Sequence, residues 1–335
     1  MKRINMKKTK IAGVGYYVPD NIVTNKDLEK YMDTSDDWIV ERTGINERRW
    51  VNEKIGTSDL AVKASEKAIE MAGLTPKDIE LIIFATLTSD YNFPGSAVQV
   101  QDKMGMDTIG AFDIKVACSA FIYGLSIADQ FIKTGQVNNV LLIGAEIQST
   151  GIDVSTRGRD MAVLFGDGAG AVDLQPTDGD SAILSTHMHS QGKFAKYLWA
   201  ELPTSLENPC MSHEMLDAGR QFPQMNGREV FKNAVVRFPE VIMEALNANN
   251  LKVDDVDLFI PHQANLRITQ FVAKRLGVGM DRMYSNIERY GNTTGASIPI
   301  ALSEAYNNGK INDGDILILA AFGSGFTWAS AAVRW

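Results

Sequence analysis

The sequence predicts an α/β fold whose sheets are buried on both faces. Three observations carry this expectation. Short apolar runs of strand length alternate with helical patterns through almost all 335 residues, which is the signature of sheets covered by helices. The chain resembles itself in two long stretches. Its composition, 45% hydrophobic and 22% charged, is that of an ordinary globular protein long enough to bury a substantial core.

The elements follow in order. Ile11 to Val18 reads as a first strand. The basic residues before it (Lys2, Arg3, Lys7, Lys8, Lys10) raise the question of a signal peptide, but Gly13 and Gly15 break the apolar run and no small-residue cleavage site follows. Thr57-Ser58 caps a helix to Met71, with Leu60, Ala61, Ala64, Ala68 and Ile69 on one apolar face. Gly73 and Pro76 end that helix, and Ile79–Leu87 follows as a buried strand. Further strands are predicted at Ile109–Val116, Val140–Ile147, Met161–Leu174, Val256–Pro261 and Ile316–Phe322. Further helices are predicted at Phe121–Lys133, Glu229–Ala248, Asn265–Leu276 and Ala296–Tyr306. Lys193 to Met225, with Pro203, Pro209 and Pro223, fits neither period and reads as a long ordered loop or surface excursion.

The repeat divides the chain. Ala68–Leu74 followed by Asp78–Ile83 matches Ala245–Leu251 followed by Asp255–Ile260 at an offset of 177. Gly135–Asn138 matches Gly309–Asn312 at an offset of 174, and Phe165–Gly168 resembles Phe322–Gly325. Two pseudo-symmetric βα halves are therefore expected, residues 1–177 and 178–335. The offset of 174 carries position 118 to 292, so Cys118 and Asn292 are expected at equivalent strand-to-helix junctions, brought together by a pseudo-twofold axis.

The charge balance excludes some functions. With 33 Lys and Arg against 41 Asp and Glu, the net charge of −8 argues against a general nucleic-acid binder. No run approaches the roughly 18 apolar residues that span a bilayer. Two cysteines make no disulfide framework, so a reducing, cytoplasmic location is expected. Cys210 and His213 have the spacing of half a metal site, but no second half lies nearby; neither a metal nor a cofactor is expected.

The chemistry centres on Cys118, in Val116-Ala-Cys-Ser-Ala120, where a strand gives way to a helix. Unpaired amides and the dipole at a helix start favour a thiolate there. His262, one of only four histidines, ends a second strand, and Asn292 stands in Gly291-Asn-Thr-Thr-Gly295. A thiol, an imidazole and an amide suggest acyl transfer through a covalent thioester.

Five segments, Val116-Ala-Cys-Ser-Ala-Phe-Ile-Tyr-Gly124, Phe165-Gly-Asp-Gly-Ala-Gly170, Pro261-His-Gln-Ala-Asn-Leu-Arg267, Gly291-Asn-Thr293 and Phe322-Gly-Ser-Gly-Phe-Thr-Trp328, together resemble the β-ketoacyl-acyl carrier protein synthase III family. The resemblance runs from about Lys10 to Trp335. It implies the thiolase-like fold, a layered α-β-α-β-α core, and the initiating condensation of fatty acid synthesis. Cys118 would take an acyl group from acetyl-coenzyme A or another short acyl-coenzyme A. His262 and Asn292 would stabilise the enolate left when malonyl-acyl carrier protein loses carbon dioxide. The amides of Cys118 and Ser324 would form the oxyanion site, with Ser324 standing where the family usually has glycine.

The resemblance also implies coenzyme A contacts at Trp38, Arg42, Thr43, Arg157 and Arg228. It implies a carrier-protein patch of Lys232, Arg267, Lys274 and Arg275, and a homodimer in which Phe93 of one subunit closes the acyl pocket of the other. Gln148 is a departure, since acetyl-using relatives tend to carry an apolar residue there. Elongating synthases use a second histidine in place of Asn292, and thiolases need a second catalytic cysteine near the C-terminus, where this chain has none. Plant-type polyketide synthases share the Cys-His-Asn set. A relative of specialised metabolism, taking a different or longer acyl group or acting as an acyltransferase, remains the alternative on sequence alone.

Overall fold

The structure, a computed structural model, describes residues 6–335; Lys2 and Arg3 of the basic N-terminus lie outside the described residues. A five-stranded sheet runs in the order Lys8–Tyr17, Gly168–Thr177, Val140–Glu146, Leu81–Ala85, Gly110–Ile114. Its first three strands are antiparallel neighbours and its last three are parallel. A four-stranded sheet follows as Leu258–Pro261, Ile316–Gly323, Thr327–Arg334, Ala182–Ser190. Only its first pair is parallel.

Two helices, Ala120–Lys133 and Ser297–Asn307, lie between the sheets. Their Ile122, Leu125, Ile298 and Leu302 pack with Ile83 and Leu142 of one sheet and Ile260 and Leu319 of the other in one buried cluster. The helix Thr57–Met71 covers the outer face of the first sheet, and Gly227–Ala248 with Leu266–Leu276 covers that of the second. The layers therefore alternate helix, sheet, helix, sheet, helix.

The predicted strand Met161–Leu174 is corrected. Arg159–Ala162 is a helical turn and the strand begins only at Gly168. Between them Asp167 is buried, and its carboxylate accepts the amides of Val51, Gln148 and Ser149. An apolar run is thus bent around a carboxylate that collects donors from distant segments, which periodicity cannot reveal. The strands Ala182–Ser190 and Thr327–Arg334 were not anticipated. The first is apolar only at its start and polar over most of the rest, and the second is built largely of small residues.

The register of the repeat is also corrected. Short 3₁₀ turns at Ala117–Ser119 and Thr294–Ala296 open the two central helices, and both contain an early residue of positive φ: 48° at Ala117 and 50° at Thr294. The offset here is 177, so the counterpart of Cys118 is Gly295. The central helices then differ, 14 residues in the first half and 11 in the second. That three-residue shortening turns 177 into the 174 seen at the glycines after the helices, Gly135 and Gly309. The two junctions are neighbours, as expected, but Asn292 sits just ahead of its turn rather than within it.

Candidate active site

Cys118 is buried in the turn that opens the first central helix. A second glycine-rich turn packs directly on it. A Cβ placed on Gly323 would stand 2.6 Å from the Cys118 Cβ and 3.0 Å from its Sγ, so only glycine lets the two segments meet. The amides of Cys118 and Ser324 lie close enough to the sulfur to favour its ionised form. The Ser324 hydroxyl donates to the Leu198 carbonyl, tying this turn to the irregular 193–225 region.

The expected thiolate is not what the site favours. Burial, reinforced by the nearby carboxyl of Glu146, pushes the thiol up to about 12, against the pull of the two amides. Local helix geometry favours an anion, but a fully buried sulfur loses more in hydration than the amides return. Glu146 is itself buried, held by the Thr88 hydroxyl at 2.6 Å and the Leu87 amide at 3.1 Å, and burial raises its carboxyl to about 7. Alkylation of Cys118 by iodoacetamide is accordingly expected to climb about tenfold per pH unit between pH 7 and 9, as the thiolate fraction grows. A rate already level by pH 7 would contradict the neutral thiol; Cys210, which is exposed, reports reagent competence in the same sample.

His262 follows the strand Leu258–Pro261, its amide donating to the Ala320 carbonyl at 2.8 Å. Burial depresses its imidazole to about 3, so the ring is neutral. Its Nδ1 lies 2.6 Å from the Ser297 hydroxyl, which the Gln263 amide also reaches at 3.4 Å. In the tautomer whose Nδ1 accepts the Ser297 proton, the ring proton lies on Nε2. Nε2 has no hydrogen-bond partner among the described residues.

Asn292 is fixed from both sides. Its amide donates to the Leu164 carbonyl at 2.8 Å and its carbonyl accepts from Gly166 at 3.1 Å. Gly291 before it has φ of 63°, and a Cβ there would be 2.6 Å from the Leu164 carbonyl oxygen. The Asn292 Oδ1 accepts from the Thr294 amide at 2.9 Å, so Nδ2 is the free donor. Sequence reasoning missed Ser297 and Glu146, because neither belongs to a motif with chemistry of its own.

Cys118, His262 and Asn292 line one cavity of about 660 Å³. Its mouth carries Trp38, Arg42, Arg228, Lys232 and Arg267, and its wall includes Thr43, whose hydroxyl donates to the Ile39 carbonyl at 2.6 Å. Two guanidinium groups, those of Arg42 and Arg159, each lie 4.6 Å from the Trp38 ring centroid. Arg159 was not anticipated; Arg157, which was, does not line this cavity. Asp153 holds Arg157 at 2.6 Å, with its guanidinium 5.5 Å from the Phe222 ring. Lys274 and Arg275 are exposed farther along the helix Leu266–Leu276, outside the mouth.

A second cavity of about 680 Å³ lies on the other side of Cys118 and shares Phe165 and Leu198 with the first. Gln148 lines it, its Nε2 donating to the Thr294 hydroxyl at 3.0 Å. Phe93 is 83% exposed beside Tyr91 and Asn92, which do line it. A larger groove of about 980 Å³ along the helix Gly227–Ala248 holds none of the three reactive residues. Among the described residues no group of three or more His, Cys, Asp or Glu gathers as a metal site, and no helix is long and apolar enough to cross a membrane. A buried thiol at the waist between two cavities, facing a neutral imidazole and an amide donor, is arranged for acyl transfer and for stabilising an enolate.

Comparison with known proteins agrees with this chemistry. A family model described as 3-oxoacyl-acyl-carrier-protein (ACP) synthase III matches residues 112–192, and one for its C-terminal part matches residues 246–335. The β-ketoacyl-acyl-carrier-protein synthase III of Caldanaerobacter subterraneus is 46% identical over 325 residues, 97% of this chain and 97% of its own length. That of Clostridioides difficile is 48% identical over 328 residues, covering 98% of each. The crystal structure of 3-oxoacyl-acyl-carrier-protein synthase III from Aquifex aeolicus superposes with a TM-score of 0.90 at 43% identity, covering 98% of this chain and 100% of that one. A priming β-ketosynthase of a polyketide pathway superposes at 0.91 with 31% identity, covering 100% of this chain and 98% of its own.

Proposed function

The chain belongs to the β-ketoacyl-acyl carrier protein synthase III family, and from that premise we propose how its residues carry out the family's reaction. That reaction is the decarboxylating condensation of an acyl-coenzyme A with malonyl-acyl carrier protein to a 3-oxoacyl-acyl carrier protein, the first condensation of fatty acid synthesis. The observation that carries the assignment of roles is that Cys118, His262 and Asn292 line the same cavity.

In the first half-reaction the Cys118 sulfur attacks the thioester carbonyl of acyl-coenzyme A. The amides of Cys118 and Ser324 receive the oxyanion, the acyl group passes to Cys118, and the thiol proton ends on the departing coenzyme A sulfur. In the second, the malonyl thioester carbonyl accepts hydrogen bonds from His262 Nε2–H and Asn292 Nδ2–H. Carbon dioxide leaves, the resulting enolate attacks the acyl-Cys118 carbonyl, and the expelled thiolate takes one proton from solvent. The depressed basicity of His262 suits this role: a neutral imidazole donates a hydrogen bond to the enolate without protonating it.

Trp38, Arg42, Thr43 and Arg228 are proposed to receive the nucleotide end of coenzyme A, with Arg159 as a further cation over Trp38. Arg157 is retained only as a nearby contact, since Asp153 occupies it. Lys232, Arg267, Lys274 and Arg275 are proposed to dock the acidic carrier protein. Reversing charge with Lys274→Glu and Arg275→Glu together, both outside the mouth, is expected to raise KM for malonyl-acyl carrier protein at least tenfold while acylation by acyl-coenzyme A keeps its rate. An unchanged KM would remove the patch from this role. The exposed Phe93 and the unpaired edge strand Gly110–Ile114 support a homodimer. A cytoplasmic location fits a catalyst that needs Cys118 as a free thiol.

The test of the function is direct. The enzyme is incubated with labelled acyl-coenzyme A, the acyl-enzyme is identified by mass on Cys118, and malonyl-acyl carrier protein is added. Transfer of label into 3-oxoacyl-acyl carrier protein with release of carbon dioxide is the expected result; absence of any acyl-enzyme defeats the reading.

A further inference from the structure

The irregular 193–225 region is the part of the chain that the reaction itself does not use, and it forms a wall of the second cavity. Leu198, Trp199, Leu202, Pro203 and Pro223 all face that space. The opposite wall brings Leu87, Met161 and Phe165. We propose that this cavity receives medium-chain acyl groups, of about six to ten carbons, in preference to acetyl. The inference rests on the assignment of Cys118 as the acyl carrier and adds the class of acyl group.

Three features support it. The first is capacity. At about 30 Å³ per methylene-sized group, close to the share a water takes of its liquid, an octanoyl chain fills about a third of the 680 Å³ available. The rest accommodates an aromatic side chain closing the end near Tyr91. An acetyl group would leave most of these apolar walls against water, which is unfavourable.

The second is chemistry. The polar groups nearest Cys118 in this cavity are already partnered within the protein. Gln148 Nε2 donates to Thr294, and the Thr327 hydroxyl lies 3.2 Å from that of Ser119 and donates to the Ser324 carbonyl at 3.0 Å. Gln148 therefore spends its amide donor on the protein instead of offering it to a polar starter. The lining that remains for a ligand is hydrocarbon from the two walls together with the polar Ser89, Asn92 and Lys115.

The third is order. The 193–225 region is held in place by several bonds: Ser324 donates to the Leu198 carbonyl, and the Asn226 amide donates to the Tyr197 carbonyl at 2.8 Å. Trp199 pairs with Gln224 in a two-stranded ribbon, and Arg220 bridges Glu201 at 2.6 Å. A wall fixed in this way discriminates by shape, because it cannot move aside without breaking these contacts.

Each methylene that enters such a cavity is worth about a fourfold gain in kcat/KM, from its transfer out of water. Acetyl-, butyryl-, hexanoyl-, octanoyl- and decanoyl-coenzyme A are compared by the rate of acyl transfer to Cys118, read as coenzyme A release and intact mass. The expected maximum lies between hexanoyl and decanoyl, with octanoyl at least tenfold above acetyl. Leu202→Trp, which intrudes from the surface region, is expected to lower the octanoyl-to-acetyl ratio at least tenfold. Met161→Phe narrows the opposite wall and serves if the first variant folds poorly. An octanoyl-to-acetyl ratio of one or less in the unmodified enzyme overturns the proposal while leaving the condensing activity intact. A ratio that neither variant changes overturns the role of this cavity. If no member of the series acylates Cys118, the enzymatic reading fails with it.

Discussion

Cys118→Ala is expected to abolish the acyl-enzyme and to reduce condensation by at least about four orders of magnitude, while malonyl-acyl carrier protein is still decarboxylated. The loss is large because covalent catalysis has no substitute in this site: among the described residues, Cys210 is the other free cysteine and it is exposed. The retained partial reaction follows from the geometry. His262 Nε2 and Asn292 Nδ2 are oriented by Ser297 and by the Thr294 amide, neither of which depends on the sulfur. Product mass and carbon dioxide release separate the two activities. If Cys118→Ala stops both equally, the thiol and the enolate donors form one indivisible unit and the assignment of separate roles is wrong.

The second large effect is expected from the donors themselves. His262→Ala or Asn292→Ala should each lower decarboxylation by about 10² to 10³, the usual consequence of removing one donor aimed at a developing oxyanion. Acylation of Cys118 should fall much less, because its oxyanion is proposed to rest on the amides of Cys118 and Ser324. The contrast is the informative part. Equal losses in both half-reactions would mean that the imidazole serves mainly as the base for Cys118, which its depressed basicity makes unfavourable.

Much of this was legible in the sequence because the relevant physics is local. The alternation of apolar runs with helical patterns located most of the buried sheets, and the scarcity of histidine and cysteine left few candidates for catalysis. What failed depended on contacts from far along the chain. The Met161–Leu174 run has the composition of a strand, yet Asp167 gathers amides from Val51 and Ser149 and bends it. The thiolate expectation used the helix terminus, which is adjacent in sequence, and could not include the burial that outweighs it. The register of the repeat was misplaced by three residues because the shortening lies inside the second central helix, beyond the junction it was used to locate. Ser297 escaped notice because its task is to orient another side chain, a task with no sequence signature.

Cys118 can be approached from the charged mouth through one cavity, and the same cavity is lined by His262 and Asn292, the proposed enolate donors. Both thioesters are proposed to reach Cys118 through this one passage. On the proposed roles the first thiol withdraws before the second thioester arrives, and the enzyme alternates between a free and an acylated Cys118. Free coenzyme A then competes with the incoming carrier protein for the passage it has just vacated.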